Sequence, residues 1–363
     1  MKWSWRVGRL FGVDVFVHAT FFILLVWVFL GQYQREGNAR GALGGVLFLL
    51  AVFAIVVLHE LGHALAARRF GIKTKDITLL PIGGVARLER MPDKPVQELW
   101  VALAGPAVNV VLAAALAAYL QLTGGALWLS AESQLAGGGL AAKLLWVNVS
   151  LALFNLLPAF PMDGGRALRA LLALRGNYVQ ATQRAAAIGQ GLALLLGLWG
   201  LLTSPLLVFV ALFVWIGAAS ESGAVQTKAA LSGIPIHAAM LTDFKVLASR
   251  DSLTTASQAL LAGSQVDFPV LDDAGALVGV LTRADLIRGL TAHGADAQVA
   301  SAMSRTFETA DPGEMLESAL QRMQSCECSS VPVLRDRQVV GILTPDNIGE
   351  LVMLQGALRQ ARG

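Results

Sequence analysis

Charged side chains are scarce in this chain. Only 15% of its 363 residues are Asp, Glu, Lys or Arg, whereas 55% are hydrophobic. Soluble domains usually carry about 25% charged residues, so we expect most of the chain to lie in lipid. The formal net charge of +3 is modest and does not indicate a nucleic-acid partner. The length alone predicts two or three domains.

Cysteine is also nearly absent. The chain has only Cys326 and Cys328, one residue apart. Such close neighbours are a poor disulfide pair, and without further cysteines nearby they exclude a zinc ribbon. We therefore predict two buried or half-buried thiols. No small-residue cleavage site follows the first apolar segment, which we interpret as a retained anchor.

Long apolar runs are plentiful. Several approach the length of about 20 residues that crosses a bilayer. They cover residues 15–32, 43–65, 99–122, 140–159, 186–203 and 205–220. The fifth and sixth runs are short and are joined by Thr203-Ser204-Pro205, a junction that suits a helical hairpin.

Basic residues are distributed unevenly between these runs. They precede the first run and cluster between the second and third and between the fourth and fifth, where Arg166 and Arg169 lie. The loop at 123–142 contains no Lys or Arg. By the positive-inside rule, the N-terminus and everything after the sixth run are predicted to be cytoplasmic.

A His-Glu motif lies in the second run, at Val57-Leu58-His59-Glu60-Leu61-Gly62-His63-Ala64. On a helix, His59 and His63 project from one face because they are one turn apart. Two neutral imidazoles at that spacing suit Zn²⁺, and Glu60 can polarise a bound water and carry its proton. Ionisable residues in a membrane span are costly, which favours a functional role.

A third ligand is expected from the fourth run, which also leads inward and ends near Asp163. Asp163 should therefore lie at the depth of the two histidines. A catalytic zinc needs three protein ligands and an open position, and Asp163 fits the third. Alternatively, Asp163 caps the helix that carries Arg166 and Arg169, and the two roles are compatible.

These stretches together resemble the site-2 protease family of intramembrane zinc metalloproteases, over roughly residues 15–220. The resemblance rests on the His-Glu motif and on the pattern Asn155-x-x-Pro158-x-x-Pro161-x-Asp163-Gly164. Leu80-Pro81-Ile82-Gly83-Gly84-Val85 resembles the family's re-entrant strand segment, and Gly105-Pro106-Ala107-Val108-Asn109 its third-span motif. For Gly105, tight helix packing is an equally good explanation.

The resemblance implies roles for individual residues. His59, His63 and Asp163 would hold zinc, and Glu60 would be the general base. Substrate would be positioned by Asn155, Gly83 and Gly84. The implied fold is an α-helical polytopic membrane domain over residues 1–222, with about six transmembrane helices and a re-entrant β segment.

From about Gly233 the composition changes to that of a soluble α/β protein, and a weak internal repeat is present. Phe268–Asp285 matches Val331–Asn347 at an offset of about 62–63 residues. The repeat resembles a tandem pair of CBS motifs. It predicts a linker at 223–235 and a cytoplasmic α/β CBS module at 236–357, with motifs at about 236–295 and 296–357.

The CBS resemblance implies an adenine nucleotide (ATP, ADP or AMP) whose ribose is held by a Thr and an Asp three residues later. Thr282 and Asp285 fit this pattern. Thr344 also fits, but its partner is Asn347, a weaker ribose acceptor. Alternatively, both threonines cap the helices that follow them.

Together the resemblances imply a multi-pass protein of the cell membrane, with its active site and CBS module on the cytoplasmic side. It would cleave transmembrane or membrane-associated substrates, such as a transcription factor or a sigma or anti-sigma factor. Control would come from the cytoplasm, through nucleotide or substrate docking, and copies of the chain would associate through their CBS domains. The alternative is a CBS-gated metal-ion transporter, in which His59, Glu60, His63 and Asp163 bind the transported metal.

Overall fold

The computed structural model describes residues 3–81, 83–92, 94–124, 139–326 and 328–360. It divides into two compact units, one ending at Val225 and one beginning at Gln226. Ile82 of the expected re-entrant segment lies outside the described residues, as do residues 125–138 of the loop without Lys or Arg.

The first unit combines one small sheet with long helices. Its strands are β1 (Ser4–Leu10), β2 (Val13–His18), β3 (Thr74–Leu80) and β4 (Gly83–Leu88). Its helices are α1 (Ala19–Glu36), α2 (Ala39–Arg69), α3 (Pro95–Leu122), α4 (Leu140–Asn155), α5 (Asp163–Ala173), α6 (Tyr178–Thr203) and α7 (Pro205–Leu231), the last of which crosses into the second unit.

The sheet has the order β1-β2-β3-β4, so β4 forms one edge. β2 and β3 are parallel, and the other two pairs are antiparallel. Alternate residues of β2 are buried, beginning with Val13, as the period of two in a half-covered strand requires. They pack with Ile77 of β3 against Phe53 and Val57 of α2. The sheet therefore holds one side of the helix that carries the His-Glu motif.

Four helices of the described chain are long and apolar enough to cross a membrane, namely α2, α3, α6 and α7. They contain the second, third, fifth and sixth predicted runs. The fourth run corresponds to α4, which is apolar but has only 16 residues. The total of six spans remains a prediction.

The start of the first predicted span was wrong. Residues 15–18 belong to β2, and helix begins only at Ala19. The sequence Val-Asp-Val-Phe-Val-His alternates with period two and is rich in β-branched residues, which favours a strand. A count of apolar residues does not show this alternation, because Phe16, on the less buried side of the strand, is also hydrophobic.

Helices α6 and α7 support the segment that leads to Asp163. Ala159 and Met162 of this segment form a buried cluster with Ala193 of α6 and Val214 of α7. The connection 156–162 thus runs between packed helices, where irregular backbone is tolerated at membrane depth.

The second unit consists of two similar α/β halves. The first contains β5 (Leu247–Ala248), α8 (Leu253–Leu261), β6 (Phe268–Leu271), β7 (Leu277–Leu281) and α9 (Arg283–His293). The second contains α10 (Leu316–Cys326), β8 (Val331–Arg335), β9 (Gln338–Leu343) and α11 (Pro345–Gln360).

The two halves exchange their leading segments. Leu241, which precedes the first half, forms a β-bridge with Ile342 of the second, and Ser304, which precedes the second half, bridges Val280 of the first. Each half has its own buried core. Because each sheet is completed by the other half's leading segment, the two halves form one module.

The prediction of two thiols was wrong. Cys326 and Cys328 are joined by a disulfide, with Cα atoms 5.2 Å apart. Sequence separation misled the prediction, because two cysteines this close in sequence can still place their Cα atoms within the usual range for such a bond.

Candidate metal centre

His59 and His63 lie one turn apart on α2, with both side chains buried. Their rings meet edge to face with centroids 4.8 Å apart. The two Nε2 atoms are separated by 3.1 Å. The helix therefore aims the same ring nitrogen of both histidines at one point.

Asp163 completes the group from α5. Its Oδ2 atom lies 3.2 Å from Nε2 of His59 and 3.1 Å from Nε2 of His63. The alternative of an N-cap was wrong, because α5 has Met162 at its N-cap position and Asp163 within its first turn. The Asp163 side chain is thus directed at the histidines instead of at the backbone of its own helix.

Both histidines are oriented through their other ring nitrogen by α3. Nδ1 of His63 lies 2.7 Å from the carbonyl oxygen of Val101, and Nδ1 of His59 lies 2.5 Å from Oδ1 of Asn109. Both partners are acceptors, so each Nδ1 donates a proton. In the neutral rings, each Nε2 then presents a lone pair to the carboxylate of Asp163.

A relay of amides fixes the direction of the bond to His59. The carbonyl of Leu144 only accepts, so Asn148 donates to it through Nδ2 and offers Oδ1 to Nδ2 of Asn109, at 3.1 Å. Oδ1 of Asn109 is then left to accept from His59. Both asparagines are fully buried. Their amide groups therefore form hydrogen bonds within the protein, ending at the ring of His59, and not with solvent.

The donor set fits a zinc ion. Three electron-rich atoms converge within 3.1–3.2 Å of one another, an arrangement that repels itself unless a cation or protons lie between them. A tetrahedral ion with ligands at about 2.0–2.1 Å separates its ligand atoms by roughly 3.3 Å. The three side chains also form the one group of metal-ligating residues found in the described chain.

Gly105 of α3 faces the same point. A Cβ atom added there would lie 2.2 Å from Nε2 of His63 and 2.7 Å from Nε2 of His59. Gly105 therefore keeps the ligand side of the histidines free, a role that the sequence did not separate from ordinary helix packing. Gly62 of α2 allows the helices to approach, since a Cβ there would lie 2.8 Å from the carbonyl oxygen of Ala104.

Glu60 is partly exposed and lies beside the edge strand β4. A Cβ atom at Gly84 would come within 2.9 Å of Cγ of Glu60, whereas nothing lies within 4 Å of the corresponding point at Gly83. Gly83 has φ +138°, which favours glycine. The two predicted substrate-positioning glycines thus begin the strand that borders the predicted general base.

Asn155 ends α4 and bonds within its own helix. Its Nδ2 atom donates to the carbonyl of Leu151 at 2.9 Å. The side chain is partly buried, and its amide oxygen retains acceptor capacity.

The second unit places the predicted nucleotide residues at helix starts. Thr282 and Asp285 form a reciprocal capping box on α9, with Oγ1 of Thr282 2.7 Å from the carboxylate. Thr344 caps α11 through its side chain, which accepts a bond of 3.2 Å from the backbone N–H of Asn347. The capping alternative is therefore confirmed for both threonines, and nucleotide binding remains a proposal.

Sequence reasoning missed Asn109, Asn148 and the role of Gly105. Asn109 is part of the third-span motif, but the motif alone predicts no role for it. A signal was available, since an amide buried within a long apolar run is costly unless it is hydrogen-bonded, which predicts a hydrogen-bonding role.

Comparisons with known proteins agree with this geometry. Residues 47–198 match Peptidase family M50, and residues 236–292 and 299–352 each match the CBS domain. A zinc metalloprotease of Methanocaldococcus jannaschii is 36% identical over 282 residues, covering 77% of this chain and 78% of that protein. A Synechocystis protein named as a zinc metalloprotease is 30% identical over 94% of both chains.

A solved structure was also matched. The site-2 protease from Methanocaldococcus jannaschii shares 38% identity and covers 61% of this chain and 95% of its own, with a TM-score of 0.43. The extent of the match to the archaeal metalloprotease shows the family. This chain belongs to Peptidase family M50, as a membrane zinc metalloprotease of the site-2 protease type with two CBS domains.

Proposed function

We propose that this protein is an intramembrane zinc endopeptidase that cleaves transmembrane or membrane-associated protein substrates. The observation that supports it most is the convergence of His59, His63 and Asp163 beside Glu60 and the edge strand β4. The alternative, a CBS-gated metal-ion transporter, is not favoured, because relatives that match most of the chain are named metalloproteases.

In this proposal His59, His63 and Asp163 hold the ion. A zinc ion bound by these residues would supply Lewis acidity, which polarises a peptide carbonyl and lowers the pKa of water. The Glu60 carboxylate takes a proton from the attacking water and then delivers it to the amine of the leaving product. Asn109 and the Val101 carbonyl keep the imidazoles in the tautomer that offers Nε2 to the ion.

Substrate is proposed to bind as an added strand. Within the described chain β4 pairs only with β3, so its other edge has no strand beside it there. A helical substrate must unwind before its carbonyls can react, and pairing with β4 would hold it extended beside Glu60. Gly83, Gly84 and the amide of Asn155 are the proposed positioning residues.

We propose that the β segment at residues 80–85 is re-entrant, that about six helices cross the cell membrane, and that the active site opens toward the cytoplasm. The basic residues between the runs support this orientation. The proposed domains are 1–222 for the protease, 223–235 for the linker and 236–357 for the CBS pair. Transcription factors and sigma or anti-sigma factors are the proposed substrate class, and nucleic acid is not a direct partner.

The CBS pair is proposed to tune activity by binding ATP, ADP or AMP near Thr282, Asp285 and Thr344 and to join copies of the chain. Fluorescent ATP titrated into the full-length protein should bind, and Asp285→Asn should weaken binding, whereas Asp296→Asn on an exposed turn should not. A wild type without affinity for any of the three nucleotides would remove this part of the proposal.

The protease proposal is tested by Glu60→Gln with a membrane-embedded reporter substrate. The amide cannot accept the proton, so cleavage should fall by at least about a hundredfold while bound zinc stays at the wild-type level. Normal cleavage by this variant would exclude Glu60 as the general base.

A further inference from the structure

Arg169 is fully buried in the first unit. It lies on α5, six residues after Asp163. In the sequence, Arg169 is one of the basic residues that predict the orientation of the chain in the membrane. A buried charge is stable only when it is paired and hydrogen-bonded, so the partners of Arg169 should indicate its role.

Three helices converge on the guanidinium of Arg169. Nε donates to Oε1 of Glu98 on α3 at 2.8 Å, and Nη2 donates to the same oxygen at 2.5 Å. Nη1 donates to Oε1 of Glu221 on α7 at 2.5 Å. The rings of Phe160 and Tyr178 lie with their centroids 5.0 and 5.1 Å from Cζ. The fork geometry allows one side chain to hold two carboxylates at once.

The position of Glu98 connects this cluster to the metal centre. Glu98 lies on α3, the helix that orients His63 through Val101 and His59 through Asn109. Within the described chain, the side chain of Asp163 forms hydrogen bonds with the two histidines but not with α3. Its helix is tied to α3 through the bonds between Arg169 and Glu98.

The shortness of α5 makes this tie effective. The helix has 11 residues, and the rise from Asp163 to Arg169 is only about 9 Å. Its first turn is held separately by close backbone packing, since a Cβ at Gly164 would lie 2.2 Å from the carbonyl oxygen of Leu157. Fixing Arg169 therefore fixes the rotation of a rigid segment whose first residue is the ligand.

We propose that Arg169 is a positioning residue for the metal centre: held by Glu98 and Glu221, it sets the place of the Asp163 carboxylate relative to His59 and His63. This inference rests on the proposed zinc site. All three ligands are then oriented from α3, two through their rings and one through an ion pair. Glu221 makes α7 a second support of the same ligand.

The test compares metal binding by purified full-length variants. Arg169→Lys keeps the charge but loses the fork, and Glu221→Gln keeps an acceptor but removes one charge from the cluster. Arg175→Gln, an exposed position just after α5, is the matched control. Zinc affinity is measured by competition with a chelator, and the coordination geometry by the visible spectrum of the Co²⁺-loaded protein.

Outer partners of metal ligands usually change metal affinity by 10–100-fold. We expect a loss in that range for Arg169→Lys and a smaller loss for Glu221→Gln, each with an altered Co²⁺ spectrum and unchanged helix content. The control should match wild type. If Arg169→Lys does not fold, Glu221→Gln decides alone, because it retains the pair between Arg169 and Glu98.

The outcomes separate two failures. Folded variants with wild-type zinc affinity and an unchanged Co²⁺ spectrum would reduce the cluster to a purely structural role and overturn the positioning inference alone. A wild type that binds no zinc would overturn the proposed function and this inference with it.

Discussion

Nδ1 of His59 lies 2.5 Å from the amide oxygen of Asn109, a residue 50 positions further along the chain. This bond begins a buried relay that continues through Asn148 to the carbonyl of Leu144. The relay crosses from α2 to α3 and α4. Its polarity sets the tautomer of His59, and with it the nitrogen that faces Asp163.

Asn109→Ala should lower zinc affinity by roughly 10–100-fold, because His59 loses the acceptor that orients its ring. It also leaves a buried donor unpaired, which costs about 1–3 kcal/mol of stability. Chelator competition measures the affinity. Asn177→Ala, which removes an exposed helix cap on α6, is the control and should bind zinc normally. Equal affinities in both variants would show that the relay does not serve the metal.

Gly105→Ala should abolish stoichiometric zinc binding while the helices remain formed. The added methyl group would occupy space 2.2 Å from Nε2 of His63, and the histidines cannot both keep their bonds to α3 if they move aside. Zinc content and circular dichroism together measure this.

The matched control for Gly105→Ala is Gly191→Ala on α6, where nothing lies within 4 Å of the added carbon. Alanine in a helix is favoured over glycine by about 0.5–1 kcal/mol, so this control should be at least as stable as wild type. A Gly105→Ala protein with one zinc per chain would mean that the site relaxes around the methyl group.

Gly84→Ala should slow cleavage by roughly ten- to a hundredfold without removing zinc. Its Cβ would come within 2.9 Å of Cγ of Glu60, so the general base must shift relative to the substrate strand. Gly8→Ala in β1, with free space around the added carbon, should cleave at the wild-type rate. Unchanged cleavage by Gly84→Ala would show that β4 does not contribute to the active site.

Patterns that are local in sequence were the predictable part of this site. The spacing of His59 and His63 determines that their side chains share a helix face, whatever surrounds the helix. The matching direction of two apolar runs was enough to expect Asp163 at a similar depth. The convergence of these three side chains could be predicted because it follows from helix periodicity and topology.

The residues that support the ligands could not be found in this way. Asn109, Gly105 and Arg169 act through partners 42 to 71 positions away in the chain. Whether Arg169 faces solvent or two carboxylates depends on how α3, α5 and α7 pack. A count of basic residues between apolar runs contains no such information.

Two predictions were wrong because they relied on an apolar count and on sequence spacing. Residues 15–18 are apolar enough to be counted with a membrane span, yet their period of two places them in β2. Cys326 and Cys328 are too close in sequence to suggest a disulfide, yet their Cα atoms lie 5.2 Å apart, within the usual range for such a bond. In both cases backbone geometry, and not composition, determined the outcome.

The most direct test of the account is the metal content of purified wild type beside Asp163→Ala, measured by elemental analysis in detergent. The account predicts about one zinc per chain in the wild type and a sharp loss in the variant, because a catalytic zinc is held by three protein ligands. Full retention of zinc by Asp163→Ala would contradict the assignment of Asp163 as the third ligand, and a folded wild type without zinc would contradict the metal centre as a whole.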